Sequence, residues 1–388
     1  MQDLPYLQQT PKKFLFDGCK LIYHQQHLKQ FLEGHRIYPL HVDMGIHKSC
    51  NIRCVYCYGV KQVPSPKYIP LDRLIMLAND AKSVGIKSLA VIGDGEPTMN
   101  KGLYEFVEHS KSIGLDMSVA TNGLLLDEHK AKTLVESLVW LRFNISGVDK
   151  YDAIMGATNG LHKFKKVVEW ALKHTRGCTI GLQMVLIPQC FSEVVPLATL
   201  ARDMGVDYLV IKQFSDGGDG MPIHMDMKAY EQVTEDLKKA EALSNDKTSI
   251  IVKWSAIKDT KDITMEHKWG FNRCIDLPFI FQISGDGGCY PCGYMFGNAK
   301  YCYGDVTKQS LKEILDSDRY WDVVDKVAKT PLKELCQGQC RHCETNKFVD
   351  RLSKVYKGDL TEALIKLCGS RDKYEEMMTH PPAHLNFI

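Results

Sequence analysis

The chain has 388 residues, with 49 Lys plus Arg against 47 Asp plus Glu and a net charge of +2, which argues against a nucleic acid held by bulk charge. Hydrophobic residues make up 44% and charged residues 25%, enough to bury a core, and no apolar run reaches the ~18 residues of a membrane span. Residues 1–20 lack an apolar stretch behind a basic start, which predicts a cytoplasmic rather than exported protein. Fourteen cysteines are the outlier. In a reducing compartment they point to metal or redox chemistry, not to a disulfide framework.

From residue 41 one phrase recurs six times: a short β-branched apolar run, a polar loop, then a segment of helical period. Strands are predicted at 41–46, 87–92, 116–120, 139–146, 179–187 and 207–213. Helices are predicted at 71–84, 101–113, 128–138, 161–174, 193–204 and 228–243. Leu74, Leu77, Ala78 and Ala81 illustrate the i, i+3, i+4, i+7 rhythm. Strands alternating with such helices predict βα units on a parallel sheet. Functional residues then belong at the C-terminal strand ends, whether the sheet closes or stays open. After 243 the rhythm breaks into an extra strand candidate at 249–257 and a polar stretch at 258–268. Runs at 279–284 and 289–296, joined by Gly285-Asp-Gly-Gly288, predict a β-hairpin, because glycine supplies the turn's positive φ. A helix at 311–328, the cysteines Cys336, Cys340 and Cys343, and a helical tail at 360–378 ended by Pro381-Pro382 complete the chain.

Cys50-Asn-Ile-Arg-Cys54-Val-Tyr-Cys57 follows the first strand directly. Thiolates hold iron–sulfur clusters, and three ligands on a four-iron cube leave one iron open. A zinc site is the other reading of three thiols, but structural zinc wants four tetrahedral donors, and His47 does not complete a Cys2His2 pattern. The Cys-x3-Cys-x2-Cys spacing, with aromatic Tyr56 before the third cysteine, resembles the signature of the radical S-adenosylmethionine (radical SAM) superfamily. That resemblance implies a partial (β/α)6 TIM-type barrel. It also implies a [4Fe–4S] cluster whose open iron binds SAM, cleaved reductively to a 5′-deoxyadenosyl radical that abstracts hydrogen from substrate. A flavodoxin- or ferredoxin-type electron donor is implied as partner. Gly93-Asp-Gly95-Glu96-Pro97 resembles the family segment that receives the SAM amino group, with Gly95 offering backbone approach and Glu96 countercharge. Thr121-Asn122-Gly123 is a further family-like element that reads equally as a turn. By the same resemblance Asn144 and Ser146 meet the ribose or carboxylate of SAM, and Gln183 joins them from the fifth strand. Lys212, Asp216 and Arg273 are the candidates for substrate contact.

Cys274 and Cys292, with Gly287 between them, and then Cys340-x2-Cys343 resemble the SPASM/Twitch auxiliary-cluster module: a β-hairpin plus helix around one further [4Fe–4S] cluster. A full SPASM module places another cysteine where Val349 stands, and Cys336 is a substitute ligand. The same four thiols also fit a zinc ribbon, because spacing does not separate zinc from iron. Four thiolates would saturate an auxiliary cluster and make it an electron relay, which favours net oxidation. The expected organisation is an N-terminal extension at 1–40, the barrel at 41–245, a linker at 246–273, the auxiliary module at 274–347 and a tail at 348–388. The leading functional expectation is a radical SAM oxidoreductase that oxidises or epimerises a small carbohydrate-type metabolite, with a small-molecule substrate rather than a peptide. The rivals are a SPASM-type ribosomal-peptide maturase, disfavoured by the short stretch before the first strand, and a non-catalytic zinc-binding interaction protein. Neither nucleic acid nor membrane is an expected partner.

Overall fold

The computed structural model describes residues 4–8, 12–16, 18–57, 65–214, 227–259, 270–336 and 342–388. Ten strands form one sheet: β1 (His41–Met44), β2 (Ser88–Val91), β3 (Asp116–Thr121), β4 (Trp140–Asn144), β5 (Thr179–Leu186), β6 (Tyr208–Gln213), β7 (Ser249–Val252), β8 (Ile280–Ile283), β9 (Gly288–Tyr290) and β10 (Gly304–Asp305). Their order is β10-β9-β8-β1-β2-β3-β4-β5-β6-β7, so β1 to β6 lie side by side in chain order. All pairs from β1 to β7 are parallel. This is the partial (β/α)6 barrel, extended at both edges. β7 forms where the extra strand at 249–257 is expected, inside the stretch read as a linker; Ser249–Val252 alternates half-buried and buried residues and takes the open edge of β6. At the other edge β8 pairs parallel with β1 before turning into the antiparallel hairpin with β9. The C-terminal module is therefore hydrogen-bonded into the barrel sheet.

Fifteen helices surround or follow the sheet: α1 (Gln25–Leu32), α2 (Leu71–Ser83), α3 (Leu103–Ser112), α4 (Glu128–Ser137), α5 (Tyr151–Met155), α6 (Gly160–His174), α7 (Val194–Met204), α8 (Met227–Ala242), α9 (Trp254–Asp259), α10 (Leu311–Asp316), α11 (Asp318–Lys329), α12 (Leu332–Leu335), α13 (Cys343–Val355), α14 (Leu360–Cys368) and α15 (Arg371–Thr379). Two predicted helices are each split in two. Ser317 ends α10 and caps α11 through a hydrogen bond accepted from the Tyr320 N–H. Gly369, at φ 88°, ends α14 in the left-handed conformation, and Ser370 caps α15. None of the described helices is long and apolar enough to cross a membrane.

Strand side chains divide by parity. Val42, Leu89, Val119, Leu141, Leu182 and Leu209 face the helices and are fully buried in the main core. The alternate residues face a lumen: Asp43 on β1, Ala90 on β2, Ala120 on β3, Arg142 and Asn144 on β4, Gln183 on β5, and Tyr208, Val210 and Lys212 on β6. The chain's two ends pack into one second core, in which Leu7, Leu21, Ile22 and Leu28 meet Phe348, Leu352, Leu364 and Cys368. From there residues 381–388 run under the N-terminal strand ends. Asn386 Nδ2 donates to Asp116 Oδ2 at 2.7 Å, the Ser88 hydroxyl donates to Asn386 O at 2.5 Å, and Phe387 packs edge-on against Trp140. The lumen is thus closed from below.

Candidate active site

Cys50, Cys54 and Cys57 lie on the loop after β1 and all line the lumen, a cavity of about 510 Å³. The loop is held by its own backbone and by α5. Cys57 N–H donates to Cys54 O at 3.0 Å, Val55 N–H to Ile154 O at 3.0 Å, and Arg53 Nη1 to Cys50 O at 2.8 Å. Gly156 admits this approach, since a Cβ there would stand 2.3 Å from Arg53 O. Burial pushes the Cys50 thiol up to about 11 and the Cys54 thiol higher still, with neighbouring carboxylate or thiolate charge adding to the shift. Bound iron supplies the positive charge that such sites need to hold thiolates. Three thiols on one loop match the three protein-held corners of a four-iron cube, which leaves its fourth iron open.

The end of β2 docks onto this loop. Glu96 N–H donates to Ser49 O at 2.9 Å, and a Cβ on Gly95 would stand 2.0 Å from His47 O, so only glycine allows the contact. The Glu96 carboxylate lines the cavity at 2% exposure, but its oxygens are occupied by the chain itself. It accepts from Thr98 N at 3.1 Å, Thr98 Oγ1 at 2.5 Å, Thr121 Oγ1 at 2.5 Å and Asn122 N at 2.9 Å. Burial raises its pKa although every one of those bonds lowers it. Glu96 thus fastens the β3 end to the β2 end. Asn122, singled out in the sequence only as part of a turn-like element, points Nδ2 at Asn51 Oδ1 (2.8 Å) and at Cys50 Sγ (3.8 Å).

Tyr56, Asn144, Gln183 and Lys212 all line the lumen. Gln183 Nε2 donates to Asn144 Oδ1 at 3.0 Å, so the two strand ends present one polar pair. Tyr56 is wedged into the wall, its hydroxyl 3.2 Å from Met155 Sδ. Ser146 does not join them: it is fully buried, outside the lining, and its hydroxyl accepts from Val185 N at 3.0 Å. Arg273 is exposed and away from the lumen. Asp216 lies outside the described residues.

Beside Gly95, Asp94 builds a joint between segments remote in the chain. Its carboxylate pairs with Lys48 Nζ at 2.9 Å and accepts from Ser284 Oγ at 2.9 Å and Gly285 N at 2.8 Å. Gly45 allows this convergence, because a Cβ there would lie 2.1 Å from Asp94 Oδ1. The end of β8 is thereby locked to the loops after β1 and β2 by a buried ion pair.

The second cysteine group is assembled from distant segments. Cys274 and Cys336 pack with Cys343 around Phe271 and Leu332. Burial drives the Cys274 thiol well above its ordinary value, with the charges of Asp276 and Cys292 adding to the effect. Asn346 on α13 braces this corner: its Nδ2 reaches Asp276 Oδ1 at 2.8 Å and Cys274 Sγ at 3.7 Å, while its Oδ1 accepts from Ile275 N at 2.8 Å. Cys340 lies outside the described residues. Val349 is buried in the second core. Cys343, at the start of α13, also lines the lumen.

A parallel partial barrel whose first strand feeds a three-thiol loop into the lumen is the architecture of an iron–sulfur enzyme with its cluster beside the substrate space. Comparison with known proteins agrees. The family profile "Radical SAM superfamily" matches residues 44–210, and "Iron-sulfur cluster-binding domain" (SPASM) matches 274–344. A tungsten-containing aldehyde ferredoxin oxidoreductase cofactor-modifying protein of Pyrococcus furiosus is 24% identical over 71% of this chain and 80% of its own length. PqqA peptide cyclase of Bradyrhizobium diazoefficiens is 24% identical over 45% of this chain and 46% of its own length. The fold is that of Streptococcus suis SuiB bound to S-adenosylmethionine: the TM-score is 0.62 at 15% identity, covering 85% of this chain and 77% of that one. Residues 44–210 are thus a radical SAM domain and residues 274–344 a SPASM-type iron–sulfur cluster-binding module. Its cofactors are a [4Fe–4S] cluster with SAM, and auxiliary iron–sulfur in that module.

Proposed function

We propose that this is a radical SAM oxidoreductase that removes hydrogen from a small substrate held in the lumen, with the auxiliary cluster as the electron acceptor. One observation carries the reading: Cys50, Cys54 and Cys57 on one side and Cys343 on the other open onto the same cavity. Bound together, the first cluster and SAM supply a 5′-deoxyadenosyl radical for hydrogen abstraction. The chain's residues do the rest. Cys50, Cys54 and Cys57 would hold the first cluster, and Cys274, Cys292 and Cys343, with Cys340 or Cys336, the second. Gly95 and the Asn144–Gln183 pair would orient SAM at the strand ends, with Glu96 fixing the wall behind them. Ile92, Val185, Val210 and Phe214 line the space with apolar surface that excludes water, and the closed base prevents loss of the radical to solvent from below. Lys212 would face the substrate.

The lumen, about 510 Å³, has to take SAM as well as the substrate, which favours a small substrate. This suits a carbohydrate-type metabolite in a cytoplasmic enzyme fed by a flavodoxin or ferredoxin. The second reading, a peptide maturase that inserts one residue of its substrate, is favoured by the likeness to PqqA peptide cyclase. Anaerobic incubation of the reconstituted protein with SAM, reductant and panels of sugars and peptides tests both. The expected result is 5′-deoxyadenosine together with loss of two hydrogens from a sugar-type substrate. Mass change in peptides alone would replace the first reading with the second. Absence of 5′-deoxyadenosine throughout would overturn both.

A further inference from the structure

Within the lumen, one level below the Asn144–Gln183 pair, stands Arg142. Its Nε is buried without a hydrogen-bond partner, and among the described residues no carboxylate pairs with it. The guanidinium lies over Trp140, 5.0 Å from the ring centroid, with the Tyr208 phenol beside it. Its register neighbours are Ala120 on β3 and Gly181 on β5, so neither adjacent strand covers it with a long side chain. The carboxylate of Asp43, on β1, is 3.0 Å from His41 Nε2. Lys20 adds a second cation to the floor, its Nζ donating to His384 O at 2.9 Å. The side chain is half-buried, with its Nε edge shut off from water; a buried donor left unsatisfied is costly, and the planar guanidinium fork matches an oxyanion by two parallel hydrogen bonds.

We propose that Arg142 is the floor of an oxyanion subsite: it binds a carboxylate or phosphate group of the substrate, while the carbon to be oxidised stands one level higher, beside Asn144. Two residues along a strand span about 6.6 Å, so the anionic group and the reacting C–H are a few bonds apart. The inference rests on the lumen being the substrate space and narrows the substrate class to acids and phosphate esters. A neutral sugar or a neutral residue of a peptide leaves Arg142 without a counter-charge.

The test uses calorimetric titration of the anaerobically reconstituted protein, both clusters loaded and SAM present. The probes are inorganic phosphate, succinate and, as neutral control, glycerol. Wild type is expected to bind one or both anions and not glycerol, and the preferred anion distinguishes phosphate ester from carboxylate. Arg142→Met should weaken that binding at least tenfold, and Arg142→Lys should keep part of it, since lysine retains the charge without the fork. Equal binding in Arg142→Met, or a wild type that binds neither anion, overturns the proposal. A SAM titration on the same samples decides the radical SAM site separately, because loss of SAM binding with an intact anion isotherm counts against that site alone. If Arg142→Met does not fold, phenylglyoxal labelling of the wild type mapped by mass spectrometry still decides. Protection of Arg142 by the bound anion supports the subsite, and its absence refutes it.

Discussion

Cys50, Cys54 and Cys57 come from one loop, whereas Cys274, Cys292, Cys336 and Cys343 are brought together across a hairpin and several helices. The first group is held by bonds within its own loop and by the neighbouring ends of β2 and α5. The second needs Asn346 on α13 to fasten Cys274, and needs β8 to be paired with β1. A site built from one short segment forms as soon as that segment is placed. A site built from distant segments forms only when the whole module has docked. The two also differ in their access to the lumen: all three thiols of the first group line it, and among the described thiols of the second only Cys343 does.

The contrast is most sharply tested by removing thiols. Cys54→Ala should abolish 5′-deoxyadenosine formation, because two protein ligands do not hold the SAM-binding cube; SAM cleavage by a folded Cys54→Ala protein would break the assignment. Cys343→Ala should instead lower substrate turnover far more than SAM cleavage. It should also reduce the iron content from about eight to about four per chain. One zinc with four irons in native protein would make the C-terminal module purely structural.

The joint between the regions comes next. Asp94→Ala leaves Lys48 buried without its partner, and breaking a buried pair costs about 3–5 kcal/mol. Denaturant unfolding should register that loss, and iron should leave the auxiliary group before the first cluster. Loss from both clusters at the same denaturant concentration would mean that the two sites form as one unit.

A smaller effect is expected at Glu96. Glu96→Gln keeps the shape but exchanges a carboxylate, which accepts four hydrogen bonds, for an amide that must turn a donor toward one of them. SAM binding measured by titration should weaken about tenfold, the worth of roughly 1.4 kcal/mol, with iron content unchanged. Iron loss would show that Glu96 supports the cluster loop instead. The smallest effects belong to the two amides aimed at sulfur, Asn122 toward Cys50 and Asn346 toward Cys274. Hydrogen bonds to ligand sulfur raise a cluster's potential, so Asn122→Leu and Asn346→Leu should each lower one midpoint potential and leave the other in place. Redox titration followed by electron paramagnetic resonance reads both; joint movement would erase the distinction.

Much of this was legible in the chain itself because the signals are local. Six apolar runs alternating with helical periods dictate a parallel sheet, and β1 to β6 fall within the predicted stretches, give or take an end residue. The Cys50–Cys57 spacing is a property of one loop, and the Gly-x-Gly-Glu segment lies at a strand end as expected. Other features escaped because they depend on pairings between remote segments. Nothing in Ser249–Val252 says that β6 has an open edge for it to fill. Ser146 alternates with Asn144 as a lumen-facing residue would, yet β4 ends at Asn144 and the serine turns away to bond Val185 N. Arg273 sits next to Cys274 in sequence, but only the cysteine turns inward.

By itself, then, the sequence determined the parallel barrel and the three-cysteine loop after its first strand, since periodicity and spacing act over a few residues. Only the tertiary structure decided that Cys343 opens onto the same lumen as the first cysteine group and that Asp94 locks the module to the barrel. It also placed the tail beneath the barrel and left Arg142 facing the cavity with no counter-charge among the described residues. Each of these depends on which side chains meet across strands far apart in the chain. Burial and electrostatics act on those meetings after the backbone has brought them together.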